Sequence, residues 1–308
     1  MYIEILGSAA GGGFPQWNCN CRNCQAVRAG TFHGKPRTQT QVAVSNNQHS
    51  WFLLNASPDL RMQIESSSFL RPREGLRGSP ITGVLLTSGD IDQIAGLLSL
   101  REVQPFHIYC TPSIRQILQE DNSIFAMLNR VPGQASWTEI RAGQSFPLLN
   151  PAGNDSGICA SLFSLGSRYP AYVSQQRASQ LQGEDALLGV MLEASGRKLA
   201  YMPAVPVIDD SLLERLESAD LLLFDGTFWN DDELIKVQGD GPTARQMGHV
   251  PISGTEGSLR KLAGLRHPRK VFIHINNTNP MLDESGPEYR EVRNAGWEIA
   301  EDGLRFEL

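Results

Sequence analysis

Three of the five cysteines fall in one short stretch, Cys19-Asn20-Cys21-Arg22-Asn23-Cys24. Thiolates are soft ligands. This spacing lets a single tight turn aim three sulfurs at one ion, and zinc favours such a set in a closed, tetrahedral structural site. The fourth ligand must come from elsewhere in the chain. Three unligated thiols in a loop, or a redox role, are the competing readings. An odd cysteine count with a cluster of this kind fits a metal site better than a disulfide framework. Cys110 and Cys159 lie in apolar runs and are expected to be small buried hydrophobic side chains.

Carboxylates and histidines supply three further candidates. Thr87-Ser88-Gly89-Asp90-Ile91-Asp92-Gln93-Ile94-Ala95-Gly96 follows a buried strand and opens a helix. Asp90 and Asp92 could cap that helix, which needs no other explanation, or could bind a metal. In Val271-Phe272-Ile273-His274-Ile275-Asn276-Asn277-Thr278-Asn279-Pro280, a histidine on an apolar strand is followed by four polar side chains. A lone strand histidine is usually a satisfied core residue; the polar string beside it points to a site. Phe224-Asp225-Gly226-Thr227 and Met247-Gly248-His249 offer a carboxylate at a strand end and a histidine after a glycine, the components of an acid–base dyad. The glycine-rich stretch Gly7-Ser8-Ala9-Ala10-Gly11-Gly12-Gly13 contains no Gly-Lys-[Ser/Thr] and no dinucleotide fingerprint. It reads as a tight turn that brings backbone near the site.

Those residues need a scaffold that brings strand ends together. Strands are expected over residues 1–6, 41–45, 51–56, 84–87, 106–110, 158–165, 188–193, 198–202, 220–225 and 270–275. Helices are expected over 91–103, from Pro112, over 210–216, 255–263 and 287–294, with a terminal strand pair around Asp302-Gly303. Residues 165–184 are polar and aperiodic and are expected to be a flexible loop or lid. Two β-rich halves with interspersed helices predict an α/β chain, with two sheets face to face and helices outside, in a single domain over residues 1–308. A formal net charge of −6 argues against a large non-specific nucleic-acid surface. The first residues lack the features of a signal peptide, and no apolar run reaches the ~20 residues that span a bilayer. A cytoplasmic protein with no membrane association is expected.

In this order the features resemble the metallo-β-lactamase superfamily, whose fold is an αββα sandwich of two mixed β-sheets flanked by helices. There a strand ends in His-x-His-x-Asp-His. The aligned residues are Ser88, Asp90, Asp92 and Gln93, so all three motif histidines are absent. The superfamily's Gly-Asp-Thr, which bridges two metals, is replaced near Met202-Pro203-Ala204. Within the superfamily the whole chain is similar to the PqqB family of pyrroloquinoline quinone (PQQ) biosynthesis. The resemblance rests on the run from Leu6 to Cys21, on Arg37-Thr38-Gln39, Asn55-Ala56-Ser57-Pro58-Asp59 and Gly96-Leu97-Leu98-Ser99-Leu100-Arg101-Glu102, and on Asp225-Gly226-Thr227, Met247-Gly248-His249 and the string from His274 to Pro280.

The resemblance implies an iron-dependent oxygenase that hydroxylates the tyrosine ring of a Glu–Tyr-derived PQQ precursor. A carrier for PQQ or its precursor towards the periplasm, and a metal-dependent hydrolase, are the other classes. Asp92 and His274 become ligands of a divalent metal, Fe2+ for the redox chemistry. Gln93 takes a third place that the family fills with histidine, and Asp90 and Asp59 are supporting or alternative ligands. Asp225 and His249 would handle protons. Arg37 and Arg245 would hold substrate carboxylates, or simply form surface ion pairs. Cys19, Cys21 and Cys24 would hold structural Zn2+. Asn277 is their fourth partner, because a related phosphodiesterase family takes that ligand three residues after its final histidine. The expected partners are the peptide-derived precursor and other PQQ biosynthesis proteins, and a homodimer is an expected assembly.

Overall fold

A computed structural model describes residues 1–308. Fourteen strands run β1 (Tyr2–Gly7), β2 (Gln41–Ser45), β3 (Trp51–Leu54), β4 (Ile81–Leu85), β5 (Phe106–Cys110), β6 (Ala135–Glu139), β7 (Ser145–Leu149), β8 (Asp155–Gly166), β9 (Leu187–Ala194), β10 (Arg197–Met202), β11 (Leu221–Asp225), β12 (Arg269–Ile273), β13 (Trp297–Ile299) and β14 (Leu304–Glu307). They form two mixed seven-stranded sheets flanked by helices. The chain divides into two compact units. One comprises Met1–Leu6, Gln41–Arg197 and Gly303–Leu308; the other comprises Gly7–Thr40 and Lys198–Asp302.

The first unit contains the sheet ordered β14-β1-β2-β3-β4-β5-β6. β3 to β6 pair in parallel, whereas β1–β14 and β2–β3 are antiparallel. β2, β3 and β4 are buried throughout, as expected for strands covered on both faces. The core collects Leu53, Val84, Ile108, Cys110, Ile114 and Leu128, among others. In the second unit β10, β11, β12 and β13 are parallel neighbours. Trp297 on β13 stacks on Phe272 of β12 with ring centroids 4.0 Å apart. Parallel sheets gather chemistry at the carboxyl ends of their strands, and Asp225 and His274 sit at the ends of β11 and β12.

Most expected elements are present, and β2, β5 and the helices Asp210–Leu216 and Pro287–Asn294 match in both bounds. Four expectations need correction. The helix expected over 91–103 is one α turn, Ile91–Ile94, continued as a 3-10 helix, Ala95–Leu100. Its ladder is diverted to a neighbouring loop. Gly96 N donates to Ala56 O at 2.9 Å, and a Cβ on Gly96 would lie 2.2 Å from Ser57 O. The two terminal strands do not pair with each other: Trp297–Ile299 pairs with β12 and Leu304–Glu307 with β1. Cys159 is exposed, because Ile158, Ala160 and Leu162 take the inward positions of β8 and leave alternate residues outside. Finally, residues 165–184 are anchored. Tyr169 is buried, Tyr172 Oη donates to Gly89 O at 2.6 Å, and Ser174 caps the short helix Gln175–Ala178.

Candidate functional site

The cysteine cluster assembles as its spacing demands. Cys21 precedes helix Arg22–Arg28, and Cys24 lies within it, fully buried. The three Sγ atoms lie within 4.8 Å of one another. Asn277 brings its carboxamide to all three, with Nδ2 3.1, 3.7 and 3.3 Å from the sulfurs of Cys19, Cys21 and Cys24. Asn23 Nδ2 donates to the carbonyls of Asn277 and Asn279, tying the helix to the polar string after His274. Burial pushes the Cys21 thiol up to about 11, and the neighbouring thiols add to this. A bound cation reverses that balance, since metal ligation needs the thiolate. Three converging sulfurs with a carboxamide between them fit a zinc ion; a half-turn of the Asn277 amide would present its oxygen.

A second cluster gathers Asp225, His249 and His274, all buried, with ligand atoms within 4.8 Å of one another. Asp225 Oδ2 lies 2.8 Å from His249 Nδ1, the dyad contact expected from sequence. The same Oδ2 accepts from Val205 N at 2.8 Å, and Oδ1 accepts from Thr227 N at 3.0 Å. The imidazoles of His249 and His274 stack, with centroids 5.4 Å apart and planes 19° from parallel. The point where these groups converge is held by the Thr227 hydroxyl. The backbone makes room for this convergence. His274 has a left-handed φ of 60°, uncommon for a side-chain-bearing residue. A Cβ on Gly226 would sit 2.8 Å from Phe272 Cβ, so only glycine allows β11 and β12 to end so close. The glycine-rich turn also arrives as expected, with Ala10 N donating to Ile275 O and Ile275 N to Ser8 O, both at 2.9 Å.

The first unit holds the other candidate donors by itself. Asp90 occupies the N-cap position of helix Ile91–Ile94, but its carboxylate does not cap it and instead accepts from Ser88 Oγ at 2.9 Å. Gln93 Nε2 donates to Asp92 Oδ2 at 3.2 Å. Gln93 is buried and its Oε1 accepts no hydrogen bond. A buried orphan oxygen of this kind is costly unless something satisfies it, and a cation would. Asp59 precedes helix Leu60–Ser66 and is half-buried.

The two arginines separate. Arg37 is 4% exposed and directs its guanidinium to the carbonyls of Ala300 and Lys35. It braces the fold, so its expected grip on a substrate carboxylate is not what its contacts show. Arg245 is exposed and reaches the Glu256 carbonyl. Sequence reasoning passed over Thr227, which it quoted only as part of a motif, and Glu233. Glu233 is buried; its carboxylate accepts from Trp229 N at 2.6 Å and from the Thr278 hydroxyl. Burial pushes its carboxyl up to about 7. No spacing rule flags a glutamate whose importance comes only from where its helix docks.

Comparison with known proteins identifies the family and the fold. A family model described as "Beta-lactamase superfamily domain" matches residues 50–275. The chain is 42% identical to coenzyme PQQ synthesis protein B of a Methylorubrum extorquens strain and 44% identical to that of Ruegeria pomeroyi, each over the full length of both chains. Its fold is similar to the crystal structure of Zn(2+)-bound PqqB from Methylobacterium extorquens, with a TM-score of 0.92, 42% identity and full coverage of both chains. A diphosphatase of the PhnP family shares the fold at a TM-score of 0.66 and 20% identity, covering 97% of that chain. The chain belongs to the family of coenzyme PQQ synthesis protein B, within the metallo-β-lactamase superfamily.

Proposed function

We propose that this protein acts in PQQ biosynthesis as a metal-dependent oxygenase that hydroxylates the tyrosine ring of a Glu–Tyr-derived precursor. Residues 1–308 are read as one domain, since the matched relatives are full-length and the family model draws on both units. The observation that carries the enzymatic reading is the buried meeting of Asp225, His249 and His274. Three titratable side chains rarely converge in a core for packing alone.

His274 is proposed as a metal ligand, with Asp225 and His249 moving protons beside it. In the first unit Asp92 and Gln93 are proposed as ligand oxygens, with Asp90 and Asp59 supporting, on the strength of the orphaned Gln93 Oε1. Fe2+ at such donors would supply the redox step, with O2 as oxidant and an external two-electron reductant. The Asp225–His249 contact lets His249 accept and return a proton while the carboxylate stabilises the charged ring. Cys19, Cys21, Cys24 and Asn277 are proposed to hold structural Zn2+, and Arg245 to meet a substrate carboxylate. The protein is expected to work with other PQQ biosynthesis proteins, as a cytoplasmic homodimer; no helix is long and apolar enough to cross a membrane.

Anaerobic reconstitution with Fe(II), followed by O2, a reductant and a Glu–Tyr-type peptide, should give a product heavier by one oxygen atom. His274→Ala should abolish that product and weaken Fe(II) or Mn(II) binding by at least tenfold. Equal metal binding by wild type and variant would remove His274 from the ligand set. Tight binding of the precursor with no oxidised product would favour a carrier.

A further inference from the structure

A cavity of about 600 Å3 lies over the cysteine cluster, and every residue that lines it belongs to the second unit. That volume falls within the roughly 300–1,000 Å3 of small-ligand sites. One wall is the loop that leads into Cys19 and Cys21, which the Arg28 guanidinium pins by donating to the carbonyls of Gln16 and Cys19. Another is helix Glu233–Gln238, where Leu234, Val237 and Gln238 share one face at spacings of three and four. The buried Glu233 carboxylate fixes the start of that helix, through Trp229 N and the Thr278 hydroxyl. Both walls are thus set by the fold before any ligand arrives.

The chemistry of the lining is unusual. It includes no lysine, arginine, histidine, aspartate or glutamate. Its polar side chains, apart from the two thiols, are carboxamides, from Gln16, Asn18, Asn20, Gln238, Asn276 and Asn277. A carboxamide both donates and accepts, as a peptide group does. Gln16 Nε2 donates to Asn18 Oδ1 at 2.9 Å, so the pair keeps the Gln16 oxygen to accept with and the Asn18 amide to donate with. Asn276 Nδ2 donates to the Thr278 hydroxyl at 2.6 Å and keeps its oxygen. Phe228, Leu234, Val237 and Met247 add an apolar patch. With the Asn277 oxygen on zinc, the ion has four protein ligands, and the cavity meets sulfur rather than metal. The Cys19 and Cys21 sulfurs then accept N–H groups, as Cys19 Sγ already does from Cys21 N at 3.4 Å. A matching ligand offers N–H and C=O groups with an apolar side chain. It brings no charge, because nothing in the lining pairs with one and an unpaired buried charge is costly.

We propose that this cavity binds a short, uncharged, internal stretch of polypeptide, with one aliphatic side chain against Leu234, Val237 and Met247. A free dipeptide carries an ammonium and a carboxylate close together, and the cavity has a partner for neither; an internal stretch has neither. The occupant is therefore a loop or tail of a partner protein, not the small precursor proposed as the substrate. A nucleobase also has amide edges, but its flat ring calls for aromatic faces, and three of the four apolar side chains here are aliphatic. The site goes beyond the oxygenase reading and needs no metal at Asp225, His249 and His274. Only its sulfur contacts rest on zinc at the cysteines.

The test titrates blocked tripeptides, acetyl-Ala-X-Ala-amide with X as leucine, valine, aspartate or lysine, into the full chain by calorimetry. Unblocked Ala-Leu-Ala and uridine are titrated in parallel, and zinc content is measured on the same samples. The leucine and valine peptides should bind at one site per chain. The aspartate and lysine peptides, the unblocked peptide and uridine should bind at least about tenfold more weakly. Gln16→Met removes a carboxamide, and Val237→Glu puts a carboxylate on the wall at a position that is 45% exposed. Each should weaken the leucine peptide about tenfold or more while zinc content and Tm keep their wild-type values. Ile235→Glu, on the same helix but outside the cavity, should bind as the wild type does. No saturable binding of the leucine peptide at millimolar concentration would overturn the proposal. So would equal affinity in all three variants, or binding of uridine or the unblocked peptide as tight as that of the leucine peptide. Should the peptides bind as stated to a chain whose cysteines hold no zinc, the peptide site stands and the zinc reading falls.

Discussion

Gln93 stands where the resemblance to the PqqB family implies a histidine. Its carbonyl oxygen is buried and accepts no hydrogen bond, beside an Asp92 that takes the amide proton. A neutral oxygen is a weaker donor than imidazole to a first-row divalent ion. Gln93→His should therefore tighten Fe(II) or Mn(II) binding, by roughly tenfold or more if one ligand bond is strengthened by about 1.4 kcal/mol. Unchanged affinity in a folded variant would mean that Gln93 does not face a metal. The cysteine cluster makes the opposite kind of prediction, one about stability. Cys21→Ser replaces a soft ligand with a hard hydroxyl in a closed site, and structural zinc binding is folding free energy. Bound zinc should fall and Tm should drop by about 5 °C or more, the shift that a loss of ~2 kcal/mol produces in a chain of this size. Full zinc content with an unchanged Tm would sink the structural-zinc reading.

Strand ends decide where these side chains meet, and the close approach of β11 to β12 is the point to test. Gly226 N donates to Ile273 O at 2.8 Å, and an added Cβ would meet Phe272 Cβ at 2.8 Å and Ile273 O at 3.1 Å. Gly226→Ala should cost about 1–3 kcal/mol through overpacking. That loss should appear as a lower urea midpoint with an unchanged slope; a wild-type midpoint would show that the strand ends can spread at no cost. This part of the structure is legible in the sequence because its residues obey local rules. The apolar run Leu221–Asp225 can only be a buried strand, Asp210–Leu216 follows Asp209, which caps Leu212 N at 2.8 Å, and the cysteine spacing dictates its own turn. What escapes the sequence depends on distant partners. β6 and β7 are only partly buried and carry weak patterns, so no periodicity marks them. The helical period from Ile91 onward is real, yet the Ala56–Ser57 backbone captures Gly96 and tightens the coil. Thr227 is visible in the sequence only as one letter of a motif, since its role comes from three groups that folding places around it.

Global stability should also carry a mark of the site's burial. Glu233 is 5% exposed, with Trp229 N on one oxygen and Thr278 on the other, and burial raises its carboxyl from the ordinary 4.5 to about 7. The hydrogen bonds it accepts favour the charged form but do not offset desolvation, which is the larger effect. The sign of the linkage follows. Between the unfolded value near 4.5 and the folded value near 7, the native chain binds the proton that the unfolded chain has released. Stability from this group is therefore fully present below that window and is lost as pH rises through it. The full shift corresponds to about 3 kcal/mol at 1.36 kcal/mol per unit, an order-of-magnitude figure. Other carboxylates in the chain titrate too, so the informative quantity is a difference between two proteins. Glu233→Gln keeps the shape and an acceptor oxygen while removing the titration. Measured by urea unfolding at mildly acidic and mildly alkaline pH, wild type should lose stability relative to Glu233→Gln as pH rises, with most of the change near neutrality. Parallel curves for the two proteins would show that Glu233 is charged in the folded state throughout, so that the bonds from Trp229 and Thr278, rather than burial, set its state. A wild type that gained on the variant with rising pH would require a cation beside the carboxylate, and would place a positive partner next to the polar string that follows His274.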